Sequence, residues 1–100
     1  MLNKTEQAAM AYLQSQYPRS TFTPHLLTFR IANGCRYTPD LVREEDGALR
    51  GIYEVKGVHA WDDAIVKAKV AATRFPWAQL WLMSPADRGR TRWRIERVMP

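Results

Sequence analysis

The sequence predicts a mixed α/β domain, in the order αβββαβ with one further strand at the end. Three observations carry that expectation. Two segments place apolar residues at helical spacing, and the segments between and after them are shorter and alternate. Turn signals at 32–34, 44–47 and 86–89 separate the short segments. The chain has 100 residues, 46% of them apolar, which suits one domain with one core.

The first helix is expected over 4–16. Asn3 is a good N-cap with Glu6 three residues on, Met10, Leu13 and Tyr17 form a stripe, and Pro18 stops the helix. Residues 19–24 are polar and irregular and read as a hinge or linker. Residues 26–31 alternate as a strand, Ala32-Asn33-Gly34 is a turn, and 35–42 is the second strand. Glu44 to Gly47 reads as a hairpin turn, 49–55 as the third strand, and Gly57 as its end. Asp62 and Asp63 favour a helix N-terminus, because acidic groups complement the positive end of the dipole. That helix runs to about Arg74, with Trp61, Ile65, Ala68, Ala72 and Phe75 on its buried face. Residues 79–83 form a short apolar strand and 92–98 a last one. The tryptophans at 61, 77, 81 and 93 are assigned to the core rather than to base stacking.

Composition narrows the classes of partner. Fifteen Lys and Arg face ten Asp and Glu, a net charge of +5, and eleven of the fifteen are arginine. Arginine pairs with phosphate through two parallel hydrogen bonds, so the excess raises the expectation of a nucleic-acid partner. Cys35 is the single cysteine, which excludes an intramolecular disulfide and a cysteine-rich zinc site; His25 and His59 read as ordinary loop residues. No apolar run approaches the length of a membrane span, and polar residues interrupt any signal-peptide pattern, so a cytoplasmic chain is expected.

The chemistry concentrates in four residues: Glu6, Asp40, Glu54 and Lys56. In a strand, i and i+2 share a face, so Glu54 and Lys56 point together while Tyr53 and Val55 point into the core. A hairpin centred near Gly47 sets Asp40 opposite Glu54, with Cβ atoms about 4.5–5.5 Å apart. Two facing carboxylates repel, and Mg²⁺ with retained waters would fit between them. With Lys56 near the attacking water, this is the equipment of a metal-dependent phosphodiesterase. A solvent-facing strand pair, with Lys56 screening two acids, is the plain alternative. Glu6 either completes a capping box with Asn3 or, on the inward stripe, joins the metal ligands. Lys67 and Arg74 share a helix face that suits phosphate contact, against a plain Asp63–Lys67 surface pair. Arg92 and Arg94 share a strand face that suits either DNA-backbone contact or protection of an edge strand.

The run Tyr37-Thr38-Pro39-Asp40, followed by Tyr53-Glu54-Val55-Lys56-Gly57, resembles the PD-(D/E)xK nuclease superfamily. The stretch from Lys56 through His59 to Asp63, then a lysine-bearing helix ending at Arg74-Phe75-Pro76, is similar to the phage endonuclease I type of Holliday junction resolvase and its small phage relatives. The resemblance covers about residues 3 to 83. It implies a single nuclease domain with a restriction-endonuclease-like αβββαβ core and mixed sheet, Mg²⁺ or Mn²⁺ as cofactor, and a homodimer that cuts both strands of branched DNA in a phage-infected or prophage-bearing host. It further implies that Asp40, Glu54, Glu6 and the Val55 carbonyl hold metal and that Lys56 orients or activates water. It also implies a first helix that crosses to the partner chain through the 19–24 linker. The alternatives are a restriction- or repair-like nuclease on duplex or flapped DNA, and a non-catalytic basic module that binds nucleic acid.

Overall fold

The computed structural model describes residues 2–57 and 63–99. The expected contributions of His59, Trp61 and Asp62 lie outside the described residues. The chain folds as α1 (Lys4–Gln16), β1 (Thr21–Pro24), β2 (Phe29–Ala32), β3 (Cys35–Tyr37), β4 (Leu41–Glu45), β5 (Ala48–Val55), α2 (Asp63–Arg74), β6 (Leu80–Pro85) and β7 (Trp93–Arg97). Five strands form a mixed sheet in the order β1-β4-β5-β6-β7, and β2 pairs with β3 in a separate hairpin. The β5–β6 pair is parallel and is bridged by α2, while the other pairs are antiparallel.

α1 occupies the expected residues and closes with the expected cap. Asn3 accepts from the Glu6 N–H, and Glu6 accepts from the Asn3 N–H, at 2.8 and 3.0 Å. Two of the four orphan donors at the helix start are satisfied in this way.

Two expectations about the next segments are corrected. The 19–24 linker is largely a strand: β1 pairs in register with β4, Phe22 opposite Arg43 and Thr23 opposite Val42. Alternation decides this, because Phe22 is buried while Thr21 faces out. The expected strand 35–42 is two strands in two sheets. Cys35–Tyr37 pairs with β2, and the chain then breaks at Pro39 before β4 enters the main sheet. Proline has no N–H to give to a ladder, so a central strand running through it is disfavoured. The β4–β5 turn narrows to Asp46 and Gly47, both at positive φ (54° and 74°), the backbone of a tight hairpin turn.

The sheet is covered on both faces. On one, α1 sets Ala9 and Leu13 against Phe22, Leu41, Tyr53, Val55 and Met83. On the other, Ala68, Ala71 and Ala72 of α2, with Phe29, Ile31 and Tyr37 of the β2–β3 hairpin, cover Ile52 and Leu80. Residues 51–55 are consequently all buried, and the Glu54 face is as enclosed as the Tyr53 face. Ile52, Leu41 and Leu80 are fully buried, each stabilising the fold by about 1.5–3 kcal/mol relative to exposure. A Cβ at Gly51 would lie 2.9 Å from the Tyr53 hydroxyl, so the buried Tyr53 ring would have to shift to admit one. Trp81 and Trp93 pack against the α1 cluster as expected. Trp77 does not: it is 62% exposed, resting on Phe29 and Phe75 at the edge of the other cluster.

Candidate active site

The register of β4 and β5 builds the site. Leu41 lies opposite Tyr53 and Val42 opposite Ile52, so one step further sets Asp40 opposite Glu54. Asp40 falls just before β4, and its carboxylate rather than its backbone meets the neighbouring strand: the Val55 N–H donates to Oδ2 at 2.8 Å. On the other edge of β5 the N–H groups of Ile52 and Lys56 go to β6, to the carbonyls of Gln79 and Met83. The peptide groups of Val55 therefore point toward β4, which leaves the Val55 carbonyl on the Asp40 side.

Asp40 and Glu54 are the buried charged side chains among the described residues, at 9% and 2% exposure. Burying a carboxylate is costly unless it is paired, and Glu54 is paired twice. The Tyr37 hydroxyl donates to Oε1 at 2.7 Å, and Lys56 Nζ lies 2.9 Å from Oε2. One lysine does not neutralise two acids. Burial, then the Glu54 charge, pushes the Asp40 carboxyl up to about 8; a hydrogen bond between the two carboxyls and a smaller push from Glu6 act the same way, against the Val55 N–H. Burial and the Glu54 charge thus favour the protonated form of the Asp40 carboxyl. The Tyr37 phenol is pushed up by burial and by the Glu54 charge, so it stays a neutral donor.

Glu6 serves as the capping residue and also acts on Asp40 of its own chain. α1 packs on the sheet of the same chain through Ala9 and Leu13, and β1 holds the segment after it in that sheet. In the single chain the segment expected to act as a hinge is thus paired in the sheet.

The expected phosphate contacts divide into two groups. Lys67 lines an open cleft of about 410 Å³ with Arg36, Tyr37, Thr38, Asp63 and Ala64, and Tyr37 joins this cleft to Glu54. Arg74 lies seven residues further along α2, about 10 Å away, in the last helical turn where a cation suits the dipole; it is not brought to the cleft. Arg94 pairs in register with Ser84, and Val55 with Met83, so Lys56, Ser84 and Arg94 align across three strands at the same end of the sheet. Strand spacing sets Lys56 and Arg94 roughly 10 Å apart. Arg92 and Arg94 are exposed, with carboxylates nearby at 3.5 Å (Asp87) and 3.9 Å (Glu96).

Two site residues escaped the sequence reading. Tyr37 stood inside the motif run, but nothing there marked its hydroxyl as the partner of Glu54. His25, read as a loop residue, brings Nε2 to 3.7 Å from Oδ1 of Asp40.

The donor set bears on metal binding. Asp40, Glu54 and the Val55 carbonyl offer hard oxygen donors; the Asp40 carboxyl is raised first by burial and only second by the Glu54 charge, the part that a divalent cation would relieve. Among the described residues no group of three or more His, Cys, Asp or Glu side chains is placed to hold a metal ion. Mg²⁺ does not require one, since it keeps several waters and uses one or two carboxylates with substrate phosphates. Two carboxylates and one carbonyl would leave most positions on such an ion to water and other ligands. Comparison of the chain with protein-family models, curated proteins and solved structures finds no match. No helix of the described residues is long and apolar enough to cross a membrane.

Proposed function

We propose that the chain is a metal-dependent DNA endonuclease of the PD-(D/E)xK kind, acting on branched DNA such as a four-way junction. The observation that supports it is the buried Asp40–Glu54 pair with Lys56 beside it, at the end of the central strand. Structural cores avoid two facing acids, whereas active sites collect groups with strongly shifted proton affinity. When bound, Mg²⁺ or Mn²⁺ supplies Lewis-acid stabilisation of the charge that builds on the phosphoryl oxygens. Asp40, Glu54 and the Val55 carbonyl would hold the ion, with Glu6 outside them tuning Asp40. Lys56 would orient the attacking water and hold a proton near it. Tyr37 fixes the rotamer of Glu54. Lys67 in the cleft and Arg94 at the sheet end flank the acids on two sides, which suits a phosphate backbone laid across the site. A restriction-endonuclease-like core and a two-fold dimer, one site per strand cut, belong to the same proposal.

A second reading rests on Glu54 itself. Both of its oxygens already have a partner, as in a structural network inside a basic DNA-binding module. Incubation of a four-way junction and of linear duplex with Mg²⁺ or Mn²⁺ separates the cases. Cation-dependent cutting of the junction supports the proposal, and cutting of duplex alone moves it to a restriction- or repair-like enzyme. Salt-sensitive binding without cutting supports the module.

A further inference from the structure

We propose that the β2–β3 hairpin is a phosphate-gripping arm, in which Arg30 and Arg36 together hold the DNA backbone beside the Glu54 site. The choice of DNA as ligand rests on the nuclease reading above; the surface and its two residues go beyond it.

Register brings the two arginines together. Arg30 lies directly opposite Arg36 in the antiparallel hairpin, and both are exposed. Phe29, Ile31 and Tyr37 are buried in the cluster with α2 and Ile52. The arginines therefore leave the outer face side by side, with Cβ atoms about 4.5–5.5 Å apart. Like charges set directly opposite one another destabilise a sheet. Elsewhere such charge is offset: Arg43, Arg92 and Arg94 have a carboxylate at 3.9, 3.5 and 3.9 Å. Among the described residues Arg30 and Arg36 join no ion pair. The sequence holds no acidic residue between Glu6 and Asp40, so the hairpin carries no acid of its own.

The pair stands where a phosphate backbone would pass. Arg36 lines the open cleft with Lys67 of α2 and Thr38, and Asp63 is the acid of that lining. Tyr37, the next residue along β3, lines the same cleft and donates to Glu54. Backbone gripped by the hairpin therefore leads toward the acids. The Thr28 and Thr38 hydroxyls meet at 2.8 Å and tie the two ends of the hairpin together, so the arm is a closed unit. Each guanidinium presents a planar fork of donors that matches phosphate oxygens. Two forks on adjacent strands take one phosphate between them, and its charge turns their repulsion into attraction. Edge protection is the other use of charge on an exposed strand, but it requires neither direct opposition nor a place at a cleft.

The test is a fluorescence-anisotropy titration of a labelled four-way junction with the full chain, over a series of salt concentrations in EDTA, with cutting in Mg²⁺ or Mn²⁺ measured in parallel. Arg30→Gln combined with Arg36→Gln should lower affinity by at least about tenfold. It should also flatten the salt slope by about 1.8, two contacts at about 0.9 each. The urea midpoint should stay or rise, because the repulsion leaves with the charges. Arg30→Lys combined with Arg36→Lys keeps the charge and loses the fork, so it should keep most of the slope yet bind less tightly than the wild type. That second pair carries the comparison if the first fails to fold. If the wild type binds and cuts while the first pair keeps wild-type affinity and slope, the arm is overturned and the nuclease reading stands. A urea midpoint that falls together with affinity would make the arginines structural and would overturn the arm as well. If the wild type binds without cutting and the first pair binds weakly at an undiminished midpoint, the arm stands and the nuclease reading falls. If the wild type binds no DNA, both are overturned.

Discussion

The carboxylate of Asp40 accepts a hydrogen bond from the backbone N–H of Val55 at 2.8 Å, and so extends the β4–β5 ladder by one rung with a side chain. This gives Asp40 two separable jobs, and substitutions divide them. Asp40→Asn keeps an acceptor for the Val55 N–H but loses the negative charge. It should fold, bind DNA and fail to cut. Asp40→Ala strands a buried N–H and should also lose about 1–3 kcal/mol in urea unfolding. Wild-type cutting by Asp40→Asn would remove the acid from the mechanism.

Stability without metal should fall as pH rises. The Asp40 carboxyl is raised to about 8 in the fold by burial and by Glu54, against about 3.9 in an unfolded chain. Between these values the folded state holds the extra proton, so raising pH favours unfolding. The contribution is fully present below about 3.9 and is lost as pH passes through 8. The melting temperature measured in EDTA should drop between pH 5 and 8, and Asp40→Asn should reduce that drop. An equal drop in Asp40→Asn would place its cause elsewhere.

Tyr37→Phe removes the donor from Oε1 of a buried carboxylate. Hydrogen bonds to charged groups contribute about 1.5–3 kcal/mol, and a loss of that size is expected in chemical denaturation. Cleavage by the folded fraction should also fall, because Glu54 would be held on one side only, by Lys56. Unchanged stability would show that the phenol adds nothing at this position.

DNA affinity should decline steeply with salt, by about 0.9 log units per log unit of salt for each phosphate contact on duplex DNA. Arg92→Ala with Arg94→Ala should flatten the slope by up to about two such contacts. Lys67→Ala should flatten it as well, while Arg74→Ala, away from the cleft, should leave it unchanged. A slope insensitive to Arg92 and Arg94 would assign them to protection of the β7 edge.

α1 packs on the sheet of its own chain, and on the proposed reading Glu6 and Asp40 would then serve one site within one chain. Co-expression of inactive Glu6→Gln and inactive Asp40→Asn chains should restore no nicking activity even in verified heterodimers. Recovery of activity in half the sites would instead require exchange of the first helix.

What the sequence disclosed follows from which interactions are local. The α1 boundaries were legible because Asn3, Glu6 and Pro18 act within a few residues. The opposition of Asp40 and Glu54 was only partly legible: counting from the turn pair Glu45–Ala48 would set Asp40 opposite Tyr53, and the bulge between Arg43 and Glu44, which the sequence did not announce, adds the one residue that brings Glu54 there. The β1–β4 pairing was not legible: a four-residue strand with one buried side chain carries almost no periodic signal. Nor was the enclosure of Glu54, since it depends on the β2–β3 hairpin folding over the sheet. Tyr37 reaches the acids through that hairpin, and His25 through the β1–β4 pairing. No spacing in the chain encodes either contact.

The two ladders that flank β5 differ in how far the chain must travel to make them. The β4–β5 pairing closes a two-residue turn, whereas the parallel β5–β6 pairing, which fixes the Lys56 backbone on the Met83 carbonyl, must wait for α2 to cross. Loop-closure entropy makes the first contact early and the second late. We therefore expect Asp40 and Glu54, with Lys56 beside Glu54 on the same strand, to come together before the Lys56 backbone is fixed on β6. In pulse-labelled hydrogen exchange during refolding, the Val55 amide should gain protection ahead of the Lys56 amide.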